Sequence, residues 1–294
     1  MRDVSAWSFL GHGEMSTLRK EDLRSPEGTL YVMKYPRPFD GKRVNWEDVN
    51  EVIAAKIASL LNLPSVHAEI AYRHEQRGCL MIHFVKQLSA DFGEVGASLL
   101  TAQFEEVYLD LQNSELPSEE LVKESFQMIG EFSYFNLIKY NFIAMNLYDI
   151  LIGNQDRHSY NWQILFKGEE ILFAPLYDNG ASLGWQLSDS YLQTMLNDER
   201  KMSAYLRKMK VKAGLLEDKF PRLKATDVLN NLLTLYPIEI KEIANRMIQF
   251  DWENYFAYID DFPLITEIRK EFLKEFIQFR MNKLIQYTVE GRVE

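Results

Sequence analysis

The spacing of apolar residues divides the chain into a first part that predicts mostly strands and a second part that predicts mostly helices. Short runs rich in strand-forming residues occur at Thr29–Tyr35, Val66–Arg73 and Cys79–Lys86. From Leu99 onward, apolar residues recur at the three- and four-residue intervals of amphipathic helices. The pattern therefore predicts an α+β protein with a strand-rich beginning and a helical remainder.

One helix is predicted within the strand-rich part, at Asn45–Leu61, with Asn45 as its N-cap. Glu51 lies on the side opposite the apolar face and is flanked by Ala54 and Ala58. Two interpretations of Glu51 remain open: an exposed surface residue, or a residue that faces a cleft kept narrow by alanines. The apolar face consists of Val49, Val52, Ile53, Ile57, Leu60 and Leu61.

The second part contains several amphipathic helices and a basic cluster. Ser188–Lys212 includes Lys201, Arg207, Lys208, Lys210 and Lys212, which we expect on a solvated helix face, with a docking surface for an acidic partner as the alternative. No chemistry is assigned to residues 213–294. The clearest helices are Glu119–Gly130, Phe132–Ile152, Thr226–Leu235, Ile238–Phe250 and Leu264–Tyr287.

Composition narrows the function classes. The 294 residues carry a net charge of −10 with a pI near 5.2, which argues against sequence-independent nucleic-acid binding and against docking on anionic membranes. Cys79 is the only cysteine, so no intramolecular disulfide forms, as is typical of a reducing cytoplasm. The N-terminus lacks the apolar segment of a signal peptide, and Phe132–Ile152 contains too many polar residues for a membrane span. We therefore expect a cytoplasmic protein.

The stretch Gly153–Gly180 contains the candidate chemistry. Asn161 follows Asp156 by five residues and precedes Asp178 by seventeen. Two strand-like runs, at 162–166 and 171–176, predict a hairpin that brings Asp178 beside Asn161. An amide and a carboxylate oxygen side by side suit Mg²⁺, and Asp156 would then face the same point as a base during phosphoryl transfer. Asp and Asn are also common turn residues, but the combination favours catalysis.

The strings GNQDRHSYN and APLYDNGASLG resemble the HipA-like serine/threonine kinases of bacterial toxin–antitoxin modules. The resemblance implies that Asp156 is the catalytic base, that Asn161 and Asp178 bind Mg²⁺, and that ATP is the phosphoryl donor. The Asp-Arg-His-x-x-Asn string is also similar to the phosphatidylinositol kinases and the secretory-pathway kinases. The single cysteine counts against the secretory-pathway kinases.

The resemblance extends to the strand-rich part. It implies that the Gly-x-Gly turn in Ser8–Ser16, with Gly11 and Gly13, contacts the nucleotide phosphates, although an ordinary turn is the alternative. Autophosphorylation would then fall on Ser16 or Thr17. Lys34, at the end of a strand and close to a proline, is the lysine expected to hold the phosphates.

The string NEVIAAKIASLLNLPSV is similar to the family's Asn-Glu helix and suggests that Glu51 forms an ion pair with Lys34. Phe84 and Val85 mark the region that would form the hinge to adenine.

Two further features bear on the predicted site: two basic residues within the loop, and a tripeptide earlier in the chain. Arg157 is predicted to contact a phosphate or the backbone of Asp156, and the resemblance implies that His158 orients the loop. The tripeptide Asp91-Phe92-Gly93 precedes the catalytic loop, so we interpret it as a turn and not as a metal site.

The sequence thus predicts a two-lobed, protein-kinase-like α+β fold, with residues 1–88 as the small lobe and residues 89–294 as the helical lobe. The predicted activity is ATP- and Mg²⁺-dependent phosphorylation of a serine or threonine in a protein. A small antitoxin protein is a candidate partner, and no direct contact with nucleic acid or membrane is expected. A lipid or small-molecule kinase and a non-catalytic nucleotide-binding regulator are the alternatives.

Overall fold

A computed structural model describes residues 1–13, 19–38, 45–217 and 222–291. The candidate phosphorylation residues Ser16 and Thr17 lie outside the described residues. The strands are β1 (Arg2–Asp3), β2 (Ser8–His12), β3 (Lys20–Arg24), β4 (Leu30–Lys34), β5 (Ala68–Arg73), β6 (Gln76–Ile82), β7 (Phe92–Val95), β8 (Gln163–Lys167), β9 (Glu170–Phe173), β10 (Lys210–Val211) and β11 (Leu223–Lys224).

The helices follow the same chain order. They are α1 (Glu47–Leu60), α2 (Phe84–Gln87), α3 (Gly96–Asn113), α4 (Ser118–Gly130), α5 (Phe135–Ile152), α6 (Asp189–Leu196), α7 (Glu199–Arg207), α8 (Ala225–Leu235), α9 (Pro237–Ile248), α10 (Trp252–Asp261) and α11 (Glu267–Glu290). None of these helices is long and apolar enough to cross a lipid bilayer.

A six-stranded sheet forms the small lobe, in the order β1-β5-β6-β4-β3-β2. The β1–β5 pair is parallel and the other pairs are antiparallel. The sequence predicted a turn over Ser8–Ser16, but Ser8–His12 is the edge strand β2. The predicted strand to Lys86 is also wrong at its end, because the strand stops at Ile82 and Phe84–Gln87 forms the short helix α2.

Helix α1 packs on one face of this sheet through the predicted apolar positions, including Val49 and Ile53, neither of which is exposed. The predicted cap is wrong: Trp46 is the N-cap residue and makes no capping hydrogen bond through its side chain. The apolar core under α1 continues without interruption into the helical lobe. The opposite face of the sheet has a separate small cluster around Leu23 and Met33.

Helix α5 lies at the centre of the large lobe and delivers the catalytic stretch. Most of its residues are buried, and Gly153 ends it with a φ of 75°, a left-handed conformation that glycine adopts without steric cost. The predicted hairpin follows as β8 and β9, and β7 adds a third strand. Phe92 and Gly93 of the Asp91-Phe92-Gly93 tripeptide are therefore strand residues and not the predicted turn.

Three contacts join α1 to the segment that follows the hairpin. Asn50 donates from Nδ2 to the carbonyl oxygen of Ser182 at 2.7 Å. The backbone N–H of Asn179 donates to Glu51 Oε2 at 2.6 Å. Gly180 lies so close to α1 that a Cβ atom there would stand 2.7 Å from the carbonyl oxygen of Glu47. The lobes are thus in direct polar contact beside the cleft.

Candidate active site

A cavity of about 700 Å³ lies between the two lobes, within the usual size range of small-molecule sites. Its polar lining includes Lys34, Glu51, Asp156, Asn161 and Asp178, and its apolar lining includes Val32, Val66, Met81, Ile82 and Val95. The candidate base Asp156, the candidate metal ligands Asn161 and Asp178, and the predicted phosphate lysine Lys34 therefore face one cavity.

Buried amide side chains hold the backbone of the catalytic loop after α5. Asn154, which is 0% exposed, donates from Nδ2 to Asp149 Oδ1 at 2.9 Å. Its Oδ1 accepts the backbone N–H of Asp156 at 3.0 Å. Because these bonds fix the main chain at Asp156, the carboxylate is presented to the cavity from a rigid support.

Arg157 is a buried structural residue, so its predicted contact with a phosphate is wrong. Its side chain is 1% exposed and forms an ion pair with Asp149, with Nε 2.8 Å from Oδ2. The remaining donors are used by Asp149 Oδ1, by the carbonyl oxygens of Asn161 and Tyr177, and by Asn179 Oδ1. The Asp149 charge outweighs the effect of burial and raises the pKa of Arg157, which stays charged. It joins the loop to the strand end that precedes Asp178.

Asn161 closes a short 3₁₀ helix at Ser159–Asn161 and lines the cavity. Its Nδ2 donates to the carbonyl oxygen of Asp156 at 2.9 Å. The side-chain oxygen Oδ1 is then the atom left to bind a metal ion. The spacing of five residues between Asp156 and Asn161 matters because it lets the side chain of Asn161 form a hydrogen bond with the backbone of Asp156.

Asp178 sits in a left-handed backbone conformation, with a φ of 59°, which costs energy in a residue that is not glycine and is frequent at functional sites. Its Oδ1 lies 3.0 Å from Lys34 Nζ. Burial would raise the pKa of Asp178, but the charge and hydrogen bond of Lys34 lower that pKa to about 2. The carboxylate is therefore ionised at neutral pH.

Glu51 is buried beside Lys34 but does not form the predicted salt bridge with it. The salt bridge of Lys34 is to Asp178, whereas Glu51 accepts hydrogen bonds from the N–H and the Nδ2 of Asn179, at 2.6 and 3.2 Å. Burial raises the pKa of Glu51, and the Lys34 charge opposes that rise. Glu51 therefore holds Asn179, the residue after Asp178, and its charge also acts directly on Lys34.

The donor set fits one Mg²⁺ shared with a nucleotide. Asn161 and Asp178 offer an amide and a carboxylate oxygen at the same cavity, the ligand types that this ion prefers. In residues 1–13, 19–38, 45–217 and 222–291, no three His, Cys, Asp or Glu side chains converge where they could hold a metal ion. A metal here would depend on two protein ligands and on phosphate or water oxygens.

Comparison with known proteins also indicates a protein kinase. No protein-family model matches the chain. The serine/threonine-protein kinase CtkA of Helicobacter pylori is 26% identical over 267 residues, which cover 79% of this chain and 77% of CtkA. This similarity supports a serine/threonine kinase and agrees with the resemblance of the sequence motifs to the HipA-like kinases.

Solved structures agree with the observed fold of the chain. The crystal structure of the H. pylori proinflammatory kinase CtkA superposes with a TM-score of 0.77 at 20% identity and covers 98% of this chain and 97% of CtkA. HipA of Shewanella oneidensis MR-1 gives 0.60 at 14% identity and covers 99% of this chain and 70% of HipA. The predicted two-lobed α+β kinase-like fold is confirmed.

The HipA structure is a complex with HipB and operator DNA. The prediction of no direct contact with nucleic acid, made from the acidic composition, is therefore not borne out by this comparison. An overall net charge of −10 describes the whole surface of this chain, and a partner protein can supply the basic surface that DNA binding requires.

The predicted phosphate-loop glycines and the predicted hinge residues differ in their position relative to the cavity. Phe84 and Val85 both line it, and the ring of Phe84 stacks on Tyr177 with 5.3 Å between centroids. Gly11, in β2, and Gly13, just after it, are not among the described residues that line it. The adenine contact and the phosphate contact both stay predictions.

Sequence reasoning missed two lysines at this site. Lys20 lines the cavity from β3 beside Lys34, and burial, followed by the charge of Lys34, lowers the pKa of its ammonium. Lys212, which was expected on a solvated helix face, is 3% exposed and contacts Asp156. Neither has a local motif; only the strand pairing of Lys20 with Lys34 could have suggested the first.

Proposed function

We propose that this HipA-like kinase transfers the γ-phosphoryl group of ATP, in the presence of Mg²⁺, to a serine or threonine hydroxyl of a protein. The observation that carries the proposal is the convergence of Asp156, Asn161, Asp178 and Lys34 on one cavity between the lobes. The similarity to CtkA, which is named a serine/threonine-protein kinase, supports it independently.

Each side chain has a separate task in the proposed transfer. Asp156 accepts the proton of the acceptor hydroxyl while the new O–P bond forms and the bond from the γ-phosphorus to the bridging oxygen breaks, which releases ADP. Lys34 holds phosphate oxygens as a point charge. Asn161 and Asp178 would hold Mg²⁺, which neutralises the charge that develops on the phosphate oxygens.

Burial and hydrogen bonding fix these groups before substrate arrives. The Asp156 backbone is held by Asn154, and the Asn161 amide is held by the Asp156 carbonyl. Preorganised groups need no reorientation during the reaction, and such positioning accounts for much of enzymatic phosphoryl transfer. His158 lines the cavity, and burial lowers the pKa of its imidazole, which suits a neutral ring that orients the loop.

The test is incubation with γ-labelled ATP, Mg²⁺ and a panel of protein acceptors, with the phosphorylated residue mapped by mass spectrometry. We expect Asp156→Ala to lower turnover by about 10²–10⁴-fold and Asp178→Ala by about 10³-fold or more, since a bound metal contributes several kcal/mol. Glu124→Ala, at an exposed position on α4, is the matched control. Wild-type turnover in the Asp178 variant would refute the metal assignment.

A role in a toxin–antitoxin module is the finer part of the proposal. Its support is the fold shared with HipA, which was crystallised with HipB and operator DNA. Co-expression with small DNA-binding proteins encoded nearby should yield a complex that purifies together if the role is correct. Growth arrest on expression of the wild type, but not of Asp156→Ala, would support a toxin. The predicted cytoplasmic location rests on the single cysteine and the acidic composition.

A further inference from the structure

Lys212 reaches the catalytic carboxylate from a distant part of the sequence. It follows β10 directly and points inward, with a side chain that is 4% exposed and an Nζ atom 2.7 Å from Asp156 Oδ1. The two residues are 56 positions apart. A buried ammonium is costly unless it is paired, so this contact determines where the side chain can lie.

The backbone beyond Lys212 is shaped to hold it there. Ala213 and Gly214 are both left-handed, with φ values of 54° and 72°. This conformation is costly for alanine and occurs where the surrounding structure imposes it. A Cβ atom on Gly214 would stand 2.9 Å from Met145 Cε. The chain accepts this strain next to Lys212, which indicates that the position of the lysine is constrained.

The segment 212–217 is bonded to the catalytic loop on both sides of Asn161. The N–H of Gly214 donates to the carbonyl oxygen of Arg157 at 2.7 Å, and Trp162 Nε1 donates to the carbonyl oxygen of Gly214 at 2.7 Å. Tyr108 Oη donates to Glu217 Oε1 at 2.6 Å and accepts the hydroxyl hydrogen of Ser159, whose Oγ lies 2.7 Å away. The loop and the segment therefore form one rigid unit.

Asp156 itself differs from its neighbours in being accessible. Its side chain is 44% exposed, whereas Asn154 and Arg157 are 0% and 1% exposed. Packing fixes the Asp156 backbone but not its carboxylate, so an additional contact must select the rotamer. Lys212 holds Oδ1 and leaves Oδ2 for the hydroxyl of the acceptor.

We propose that Lys212 is a positioning residue for the catalytic base, which fixes the Asp156 carboxylate in the orientation that accepts the proton of the acceptor hydroxyl. This proposal rests on the proposed kinase function. Because Lys212 acts through Asp156 and is not among the described residues that line the cavity, its loss should affect the transfer step and leave nucleotide binding intact.

The fold should tolerate removal of the charge. Replacement of a buried charge by an apolar side chain of similar size removes its desolvation cost, and the Asp156 carboxylate that loses its partner can still contact water. Lys212→Met therefore keeps the length of the side chain and the packing. Lys210→Met is the matched control, because Lys210 lies two residues earlier on β10 and is exposed.

The kinetic experiment compares wild type, Lys212→Met, Lys212→Arg and Lys210→Met at saturating MgATP and protein acceptor. We expect Lys212→Met to lower kcat by about 10²-fold, the effect of a small displacement of a reacting group, with KM for ATP and the Kd of ATP unchanged. Lys212→Arg should restore part of the loss, and Lys210→Met should match wild type. Wild-type kcat in Lys212→Met, or an equal loss in Lys210→Met, would overturn the proposal.

A structural readout separates this proposal from the kinase proposal. In crystals of Lys212→Met, we expect the Asp156 side chain to occupy more than one rotamer, while Lys210→Met keeps the single orientation. If wild type shows no transfer that depends on Asp156, the kinase proposal fails, and the rotamers still decide whether Lys212 positions the carboxylate. A single unchanged Asp156 rotamer in Lys212→Met would refute the positioning role.

Discussion

The catalytic loop and the β2–β3 hairpin, of which Lys20 lines the cavity, are built in opposite ways. In the loop, Asn154, Arg157 and Asn161 are 0%, 1% and 6% exposed, and their side chains use hydrogen bonds to fix the backbone. In the hairpin, Phe9 and Leu10 are 47% and 46% exposed. β2 is an edge strand that pairs with β3 alone, with a register shift between Phe9 and Gly11.

The two regions therefore differ in how firmly their residues are held before any ligand binds. The groups that would take part in chemistry are rigid without any ligand, as positioning requires. The strand predicted to cover the phosphates has one neighbour and little buried area, and such regions open at low free-energy cost. We expect bound nucleotide to supply the contacts that the edge strand lacks.

The largest effect is expected at Arg157. Arg157→Leu removes the partner of buried Asp149 and should destabilise the fold by about 3–5 kcal/mol, the usual cost of an unpaired buried charge. Chemical unfolding with and without the substitution measures this loss. Arg200→Leu is the control, because its salt bridge to Asp198 involves a side chain that is 93% exposed and such pairs contribute at most about 1 kcal/mol. Equal losses in both variants would show that the burial of the Asp149–Arg157 pair adds nothing to its contribution to stability.

Hydrogen exchange of backbone amides compares the loop and the hairpin directly. Without ligand, the amides of Asn154 and Asn161, which are bonded within the loop at 2.9 Å, should exchange about 10²-fold more slowly than that of Gly13, whose bond to Lys20 measures 3.3 Å. Addition of MgATP should slow exchange in β2 and leave the loop nearly unchanged. The expectation fails if both regions show the same protection before nucleotide is added.

The inner strand of the hairpin, β3, should contribute to stability in a way that depends on pH, because of Glu21. Glu21, on β3, lies 2.8 Å from Arg73 and accepts from Tyr35 Oη at 3.0 Å. Burial raises the pKa of Glu21, but hydrogen bonds, from Arg19 first, lower it overall. A carboxylate with a lowered folded pKa stabilises the fold above its unfolded pKa of about 4.3, and this contribution is lost as pH falls through the folded value.

Glu21→Gln should therefore cost about 1–3 kcal/mol at neutral pH. The difference from wild type should shrink as the pH falls below about 4. Urea unfolding of both proteins at a series of pH values measures it. A difference that stays constant down to acid pH would show that the charge of Glu21 contributes nothing.

The smallest effect is expected at Gly11. A Cβ atom there meets nothing within 4 Å, and Gly11 is not among the glycines with positive φ. Gly11→Ala should change stability by at most about 0.5 kcal/mol. Gly214→Ala is the matched contrast, since its φ of 72° and the contact with Met145 should make it cost about 1–3 kcal/mol. Thermal melting curves of the two variants measure these changes in stability. A large loss of stability in Gly11→Ala would show that the hairpin is more tightly packed than its exposure indicates.

Local spacing made part of the site predictable. Asp156 and Asn161 are five residues apart on one loop, and Asp178 returns through a hairpin whose strands β8 and β9 were visible as two apolar runs. These relations depend on residues close in sequence or joined by one turn. The position of the three side chains at one cavity therefore followed from the pattern.

The sequence pattern could not predict which polar side chains are buried. Arg157 looked like a phosphate ligand because of its charge, but its role comes from Asp149, a buried carboxylate of helix α5. Lys212 looked like one member of an exposed basic cluster, but the left-handed turn at 213–214 directs it inward. The strand at Phe92–Val95 forms only because β8 offers it an edge. The errors at Lys212 and at Phe92–Val95 concern partners far away in sequence, whereas Asp149 lies only eight residues before Arg157 and was missed because its burial was not visible.

The contacts between α1 and residues 179–182 have a consequence for protein engineering. Glu51, Asn50 and the backbone of Glu47 each meet a specific atom in that segment, at Asn179, Ser182 and Gly180. A chimera that exchanged residues 1–88 for those of a relative would separate these pairs, although the crossover lies far from them in sequence. Recombination at this boundary should yield folded, active hybrids only when the residues at 179 and 180, whose side chain and missing Cβ fit this helix, are inherited from the same parent as the helix.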